Sequence, residues 1–184
     1  MNKNPEKPLK TELLYSGKYI LLNRRGSWEY ASRPHNMTAA VIVAIDEDTI
    51  ILVEQRRIPF DCNTIELPAG LVGDEESSES VEDAAKRELI EETGYHAEVI
   101  HNLGEFASSP GMTSEGFFLI RAEVLTKVGE GGGVDDENIT VHRVKLAQLS
   151  EFIVQKRAEG LVMDAKLLLL LGPALLGKTA FPED

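Results

Sequence analysis

Apolar and polar residues alternate in short runs along most of the chain, a pattern that predicts strands, and one stretch instead repeats its apolar positions at helical spacing. Residues 13–23 and 28–32 read as strands around a turn at Arg25-Gly26. The runs AAVIVAI (39–45) and IILVEQ (50–55) predict a hairpin turning through Asp46-Glu47-Asp48. A short strand over 65–67 is expected to end at Pro68-Ala69-Gly70. A helix follows over 81–92, with Gly94 as the stop after its last turn. Further strands are predicted over 97–103, 116–124 and 139–144. Two helices close the chain, 146–159 ending at Gly160 and 164–171 with Asp164 as cap. Residues 1–12 read as a loose tail. Gly129-Glu-Gly-Gly-Gly133 lacks the Lys-Ser/Thr of a phosphate loop and reads as a flexible connector.

At 184 residues the chain is long enough for one domain, or one domain with an arm. Its net charge of −12, from 19 basic and 31 acidic residues, excludes a general binder of nucleic acid or of an anionic membrane. Cys62 is the sole cysteine, so neither an internal disulfide nor a cysteine zinc cage is available. His35, His96, His101 and His142 show no HxxxH spacing, which leaves oxygen as the ligand for any metal. The first ten residues are polar and carry Pro5 and Pro8, unlike a secretory signal. The most apolar stretch, 161–176, contains Asp164 and Lys166 and is cut by Gly172-Pro173, so no membrane span is expected. A reduced, cytoplasmic setting follows as the default.

The helix at 81–92 carries the chemistry. At about 100° per residue, Val81, Ala84, Ala85 and Leu89 share one apolar face. Glu88 and Glu92 fall in the middle of that face and Glu91 at its edge, whereas Glu82, Asp83, Lys86 and Ile90 lie on the other side. Two inward acids one turn apart repel and cost several kcal/mol each in desolvation, so they are either protonated or neutralised by cations. The third acid, Glu91, favours cations, and Arg87 stands four residues before it, in position to pair. Hard oxygen ligands in this arrangement suit Mg²⁺ or Mn²⁺, and Ca²⁺ would occupy them without supporting chemistry. The competing reading is a structural acidic cluster. A cation site would also let an acidic protein hold a polyphosphate, with Arg56 and Arg57 as candidates for the remaining phosphate charge.

The segment Gly73-(5)-Glu79-(7)-Arg87-Glu88-Leu89-Ile90-Glu91-Glu92-Thr93-Gly94-Tyr95 resembles the Nudix box, GX5EX7REUXEEXGU, at every fixed position. Glu66-Leu67-Pro68-Ala69-Gly70, Pro110 sixteen residues after Gly94, SSPGMTSE (108–115) and GGGVDDENITV (131–141) are similar to stretches of the ADP-ribose and nucleoside diphosphate sugar pyrophosphatases of that family. The likeness spans roughly residues 13–176. Gly70 stands three residues before Gly73, which reads as a three-residue insertion between PAG and the box.

The resemblance implies an α/β fold: a Nudix-type α/β/α sandwich around a mixed sheet, with an N-terminal antiparallel β arm. Residues 1–36 would form the tail and dimerisation arm, and 37–184 the hydrolase domain. It implies Mg²⁺-dependent cleavage of the pyrophosphate bond of ADP-ribose and related sugars to a nucleoside monophosphate and a sugar phosphate. A preference for GDP-mannose and a non-catalytic nucleotide-sugar sensor are the alternatives. Glu88, Glu92, Glu91 and the carbonyl of Ala69 would hold metal, while Glu79 and Arg87 support the box. Glu137 would be the general base, with Asp135 and Asp136 as substitutes, and Glu91 and Arg87 belong to the catalytic set. Arg57, Glu66, Met112, Thr113 and Glu115 would meet substrate. Trp28 would stack on the base in a partner's site, giving a homodimer with composite active sites and no nucleic-acid or membrane partner.

Overall fold

The structure is a computed structural model, and it describes residues 9–34, 37–73, 79–134 and 137–170. The first predicted strand is two. Gly17 donates its N–H to the carbonyl of Ile20 at 2.9 Å, and this turn divides β1 (Thr11–Ser16) from β2 (Leu21–Arg25). With β3 (Trp28–Ser32) they make a separate antiparallel sheet in the order β1-β2-β3. This arm puts little into the core, since Leu13, Tyr15, Ile20 and Trp28 are all exposed. It is tied to the body where Ala31 pairs with the 108–115 loop, its N–H on the Met112 carbonyl at 2.9 Å and its carbonyl taking Ser114 N–H at 3.0 Å.

The expected hairpin forms from β4 (Thr38–Asp46) and β5 (Thr49–Arg57). The two pair with each other only at the turn end, Ile45 with Ile50 and Asp46 with Thr49, and then diverge. The edge of β5 beyond that point takes β6 (Cys62–Glu66), and the corresponding edge of β4 takes β7 (Ala69–Val72), both antiparallel. β7 was not expected, because its Ala-Gly start has poor intrinsic strand preference; the open edge of β4 recruits it. Then come α1 (Val81–Thr93), β8 (Tyr95–Ala107), β9 (Gly116–Lys127) and β10 (Thr140–Lys145). β9 runs parallel to β4, β8 antiparallel to β9, and β10 antiparallel to β5. α2 (Leu149–Ala158) follows a 3₁₀ turn at Leu146–Gln148, and β11 (Val162–Met163) pairs parallel with β6. The second closing helix begins as a 3₁₀ turn, Ala165–Leu167, capped by Asp164, whose carboxylate accepts Lys166 N–H at 2.7 Å. Its expected end at 171 lies outside the described residues.

The mixed sheet is packed on both faces. Ala40, Ile42, Ala44 and Ile51 turn toward Ala85 and Leu89 of α1, together with Ile120 and Ala122 of β9. Val41, Ile50 and Leu52 turn the other way, onto Leu149 and Ile153 of α2 and onto Leu167. A sheet buried on both sides requires consecutive apolar residues, and Ile50, Ile51, Leu52 and Val53 are indeed fully buried in succession. The result is the α/β/α sandwich. Among the described residues no helix is long and apolar enough to cross a membrane.

Candidate active site

α1 is delimited by local chemistry. The Ser80 hydroxyl accepts Asp83 N–H at 3.1 Å at the start, and Gly94, at φ 73°, closes the end with its N–H on the Ile90 carbonyl at 2.8 Å. The apolar face packs as the periodicity predicts, and it carries the acids inward: Glu92 is only 3% exposed and Glu88 is mostly buried. Arg87 organises the row. Its guanidinium donates to Glu79 at 2.9 and 3.2 Å, to Glu88 at 2.9 Å, to Glu91 at 3.0 Å and to the Leu71 carbonyl at 3.3 Å. Glu79 also accepts Gly73 N–H at 3.3 Å, so Gly73, at φ 78°, ties the start of the box loop to the same guanidinium. Gly70 makes room for the acid row, because a Cβ there would overlap the Glu88 carboxylate.

The charges are unevenly compensated. Arg87 holds the Glu79 carboxyl below its usual range. Burial pushes Glu88 up in spite of Arg87. Glu92 is pushed up to about 8, chiefly by burial and further by Glu88 and Glu137, with the Ala69 N–H at 2.9 Å opposing the shift. Among the described residues no three His, Cys, Asp or Glu side chains already converge as a metal cage. Glu88 and Glu91 lean on Arg87 instead. The donor chemistry fits a hard divalent cation all the same: the groups are oxygens, and two acids sit in a dry setting where only added positive charge keeps both ionised.

The row borders a cavity of about 440 Å³. Glu88, Glu91 and Arg87 form one wall with Ala69, Gly70 and Leu71 of β7, and Glu92 reaches that wall through the Ala69 amide. Arg57 and Glu66 line it too, joined across β5 and β6 by two hydrogen bonds of 2.7 and 2.8 Å. Burial alone would raise the Glu66 carboxyl, but Arg57 and the Thr64 hydroxyl hold it below its usual range. Lys166, paired with Asp164 at 2.6 Å, adds a second cation there. Arg33, paired with Glu115 at 3.3 Å, adds a third, and Glu137 lines the mouth.

Comparison with known proteins identifies the family. The model of the NUDIX domain matches residues 34–164, more than half of the chain. The chain belongs to the Nudix hydrolase family. This Nudix protein is 35% identical over 161 residues to a methanol dehydrogenase activator of Bacillus methanolicus, covering 83% of this chain and 85% of that one. It is 34% identical to an ADP-ribose pyrophosphatase of Bacillus subtilis, with 88% of each chain covered. A GDP-mannose pyrophosphatase of Cronobacter sakazakii is 33% identical, covering 74% and 71%. A crystal structure described as an ADP compounds hydrolase superposes with a TM-score of 0.69 over 96% of this chain and 98% of that one; at 23% identity it speaks for the fold. Nudix hydrolases generally use divalent metal ions.

The Nudix protein thus brings Arg57, Glu66, Ala69, Arg87, Glu88, Glu91, Glu115 and Glu137 to one cavity or its wall. It does not bring Trp28, Met112 or Thr113 into the cavity of their own chain; Trp28 is 61% and Met112 69% exposed. Arg56 turns away to pair with Asp61 beyond the cavity, so of the two candidate arginines only Arg57 faces it. Asp135 and Asp136 lie outside the described residues. The segment expected to be a flexible connector is instead bonded to α1: Gly132 N–H meets the Glu92 carbonyl at 2.9 Å and Gly133 N–H the Glu91 carbonyl at 3.0 Å. Arg33 and Lys166 were not anticipated. No signal marks Arg33, and Lys166 is hidden among leucines in a segment that reads as buried helix.

Proposed function

We propose that this protein hydrolyses the pyrophosphate bond of ADP-ribose and related nucleoside diphosphate sugars with Mg²⁺, releasing a nucleoside monophosphate and a sugar phosphate. The observation that carries this reading is that the inward acid row on α1 shares one cavity with Arg57 and Lys166. A diphosphate is the ligand that needs both, cation-bearing carboxylates and fixed basic groups. The ADP-ribose pyrophosphatase similar over 88% of the chain supports the substrate class.

In this reading Glu88, Glu92, Glu91 and the Ala69 carbonyl hold the cations. Bound there, divalent ions would polarise a phosphoryl oxygen and acidify a water. Arg87 keeps Glu88 and Glu91 in place. Arg57, steadied by Glu66, and Lys166 take the phosphate charge that the acid wall cannot. Glu137 accepts the proton of the attacking water as the new phosphorus–oxygen bond forms and the bridging bond breaks. The other phosphate leaves with the bridging oxygen. Incubation with ADP-ribose, GDP-mannose, UDP-glucose, NADH and dinucleoside polyphosphates plus Mg²⁺ is expected to release AMP and ribose phosphate from ADP-ribose fastest. Faster turnover of GDP-mannose would favour the second reading, to which the 33% identical GDP-mannose pyrophosphatase lends support. Calorimetric binding of ADP-ribose without product would instead indicate a sensor.

The arm completes this proposal. Its outward Leu13, Tyr15, Ile20 and Trp28 suit a second copy of the chain, where Trp28 would stack on the base bound in the partner's cavity. The working unit is then a cytoplasmic homodimer. Light scattering after size exclusion should give twice the chain mass, and Trp28→Ala should lower kcat/KM about tenfold, the scale of one lost base stack. A fully active monomer would remove this part of the proposal.

A further inference from the structure

The segment after β9 returns to the end of α1 through main-chain hydrogen bonds. Val128 and Gly129 donate to the Gly94 carbonyl at 2.8 and 3.1 Å; Gly132 and Gly133 then take the carbonyls of Glu92 and Glu91, and Ile139 N–H closes back on Gly132 at 2.9 Å. These helix-end carbonyls belong to two residues of the acid row. The fit is possible only with glycine. A Cβ on Gly131, at φ 71°, would enter the backbone of Glu92 and Thr93, and one on Gly94 the backbone of Gly129. Gly133, at φ 83°, lies on the other side of the segment, where a Cβ would come within 2.8 Å of the Glu137 Cβ and collide with its carboxylate. Glu137, exposed at the edge of the cavity it lines, is itself steadied by accepting the Val134 N–H at 2.9 Å.

We infer that Gly131–Gly133 is a rigid strap that sets the position of Glu137 against the acid row, making these glycines positioning residues for the proton-accepting step. The inference rests on the hydrolytic reading above and deepens it. An exposed loop would otherwise have to find the correct approach of its carboxylate at every turnover. Here one side of the strap is fixed to α1 through hydrogen bonds and the other side touches Glu137, so helix and base share one frame. A misplacement of about 1 Å in such a group costs up to roughly a hundredfold in rate.

The test compares Gly133→Ala with Gly160→Ala. Gly160, at φ 91° after α2, has no atom within 4 Å of an added Cβ, so its substitution imposes similar backbone strain away from the cavity. With ADP-ribose and Mg²⁺, Gly133→Ala is expected to lower kcat at least about tenfold, while KM and the Mg²⁺ needed for half the maximal thermal shift stay within about twofold. Gly160→Ala should lower Tm and leave kcat unchanged. Equal kcat in the parent and Gly133→Ala would overturn the strap, as would a loss matched by Gly160→Ala. Amide hydrogen exchange on the unsubstituted protein gives an independent reading: Gly132 and Gly133 should be protected to the level of the last turn of α1, and exchange at open-chain rates would overturn the proposal even if no variant folds. A parent enzyme without turnover on any nucleotide sugar would sink the hydrolytic reading, while the exchange result still decides whether the strap exists.

Discussion

Glu92→Gln is expected to fold, to lose roughly 10²–10³-fold in turnover, and to be more stable than the parent at alkaline pH when metal is absent. The opposite directions share one cause. Glu92 is buried beside Glu88 and Glu137, with the Ala69 amide as its hydrogen-bond donor, and its pKa rises from an ordinary 4.5 to about 8. Between those values the native chain keeps a proton that the unfolded chain has released. Stability of the metal-free parent therefore falls as pH rises from about 4.5 to 8, reaching a loss on the order of 3 kcal/mol by neutrality. Glutamine keeps the shape and an acceptor oxygen for Ala69 but cannot ionise, so the variant's unfolding free energy should fall less steeply across that window, with Glu88 supplying the slope that is left. Mg²⁺ should raise the parent's Tm, and more at pH 8 than at pH 6, because protons compete with the cation for the same carboxylates. The Gln variant should lose most of that shift. Urea unfolding with and without Mg²⁺ at the two pH values checks every part; retained turnover at saturating Mg²⁺ would remove Glu92 from the ligand set.

Arg87→Met should be the most destabilising single change in the box, by about 3–5 kcal/mol without metal. One guanidinium serves Glu79, Glu88, Glu91 and the Leu71 carbonyl, so its loss leaves three partly buried acids close together and unties the start of the box loop from α1. Arg87→Lys should recover only part of this, because an ammonium lacks the planar fork that reaches Glu79 with two nitrogens at once. Divalent cation should partly restore the Met variant by replacing the missing positive charge among the acids. The midpoint of urea denaturation measures each effect. A Met variant as stable as the parent in the absence of cations would show that Arg87 contributes little beyond packing.

Much of the site was legible before any coordinates. The inward direction of Glu88 and Glu92 follows from helical period, the pairing of Arg87 with Glu91 from their separation of four residues, and the limits of α1 from Ser80 and Gly94. The β4–β5 hairpin follows from two apolar runs around three acids. In each case the partners are neighbours in the chain, and the geometry of a single turn or hairpin sets the result.

Other parts lie beyond that reach. β7 is a strand because β4 offers an open edge, not because Ala69-Gly70 favours extension. The Gly131–Gly133 segment has the composition of a linker, yet it becomes a strap because the end of α1 presents unpaired carbonyls just where glycine backbone can approach. Arg57 is turned into the cavity by Glu66 on the adjacent strand, whereas Arg56 beside it faces Asp61 and points elsewhere. Lys166 and Arg33 join the cavity lining from segments far apart in the chain. By itself, then, the sequence determined the acid row, its helix and the family, since spacing within one turn controls them. The tertiary structure decided what shares a cavity with that row, because Arg33, Arg57 and Lys166 lie tens of residues from it in the chain and meet it only once the sheet has assembled.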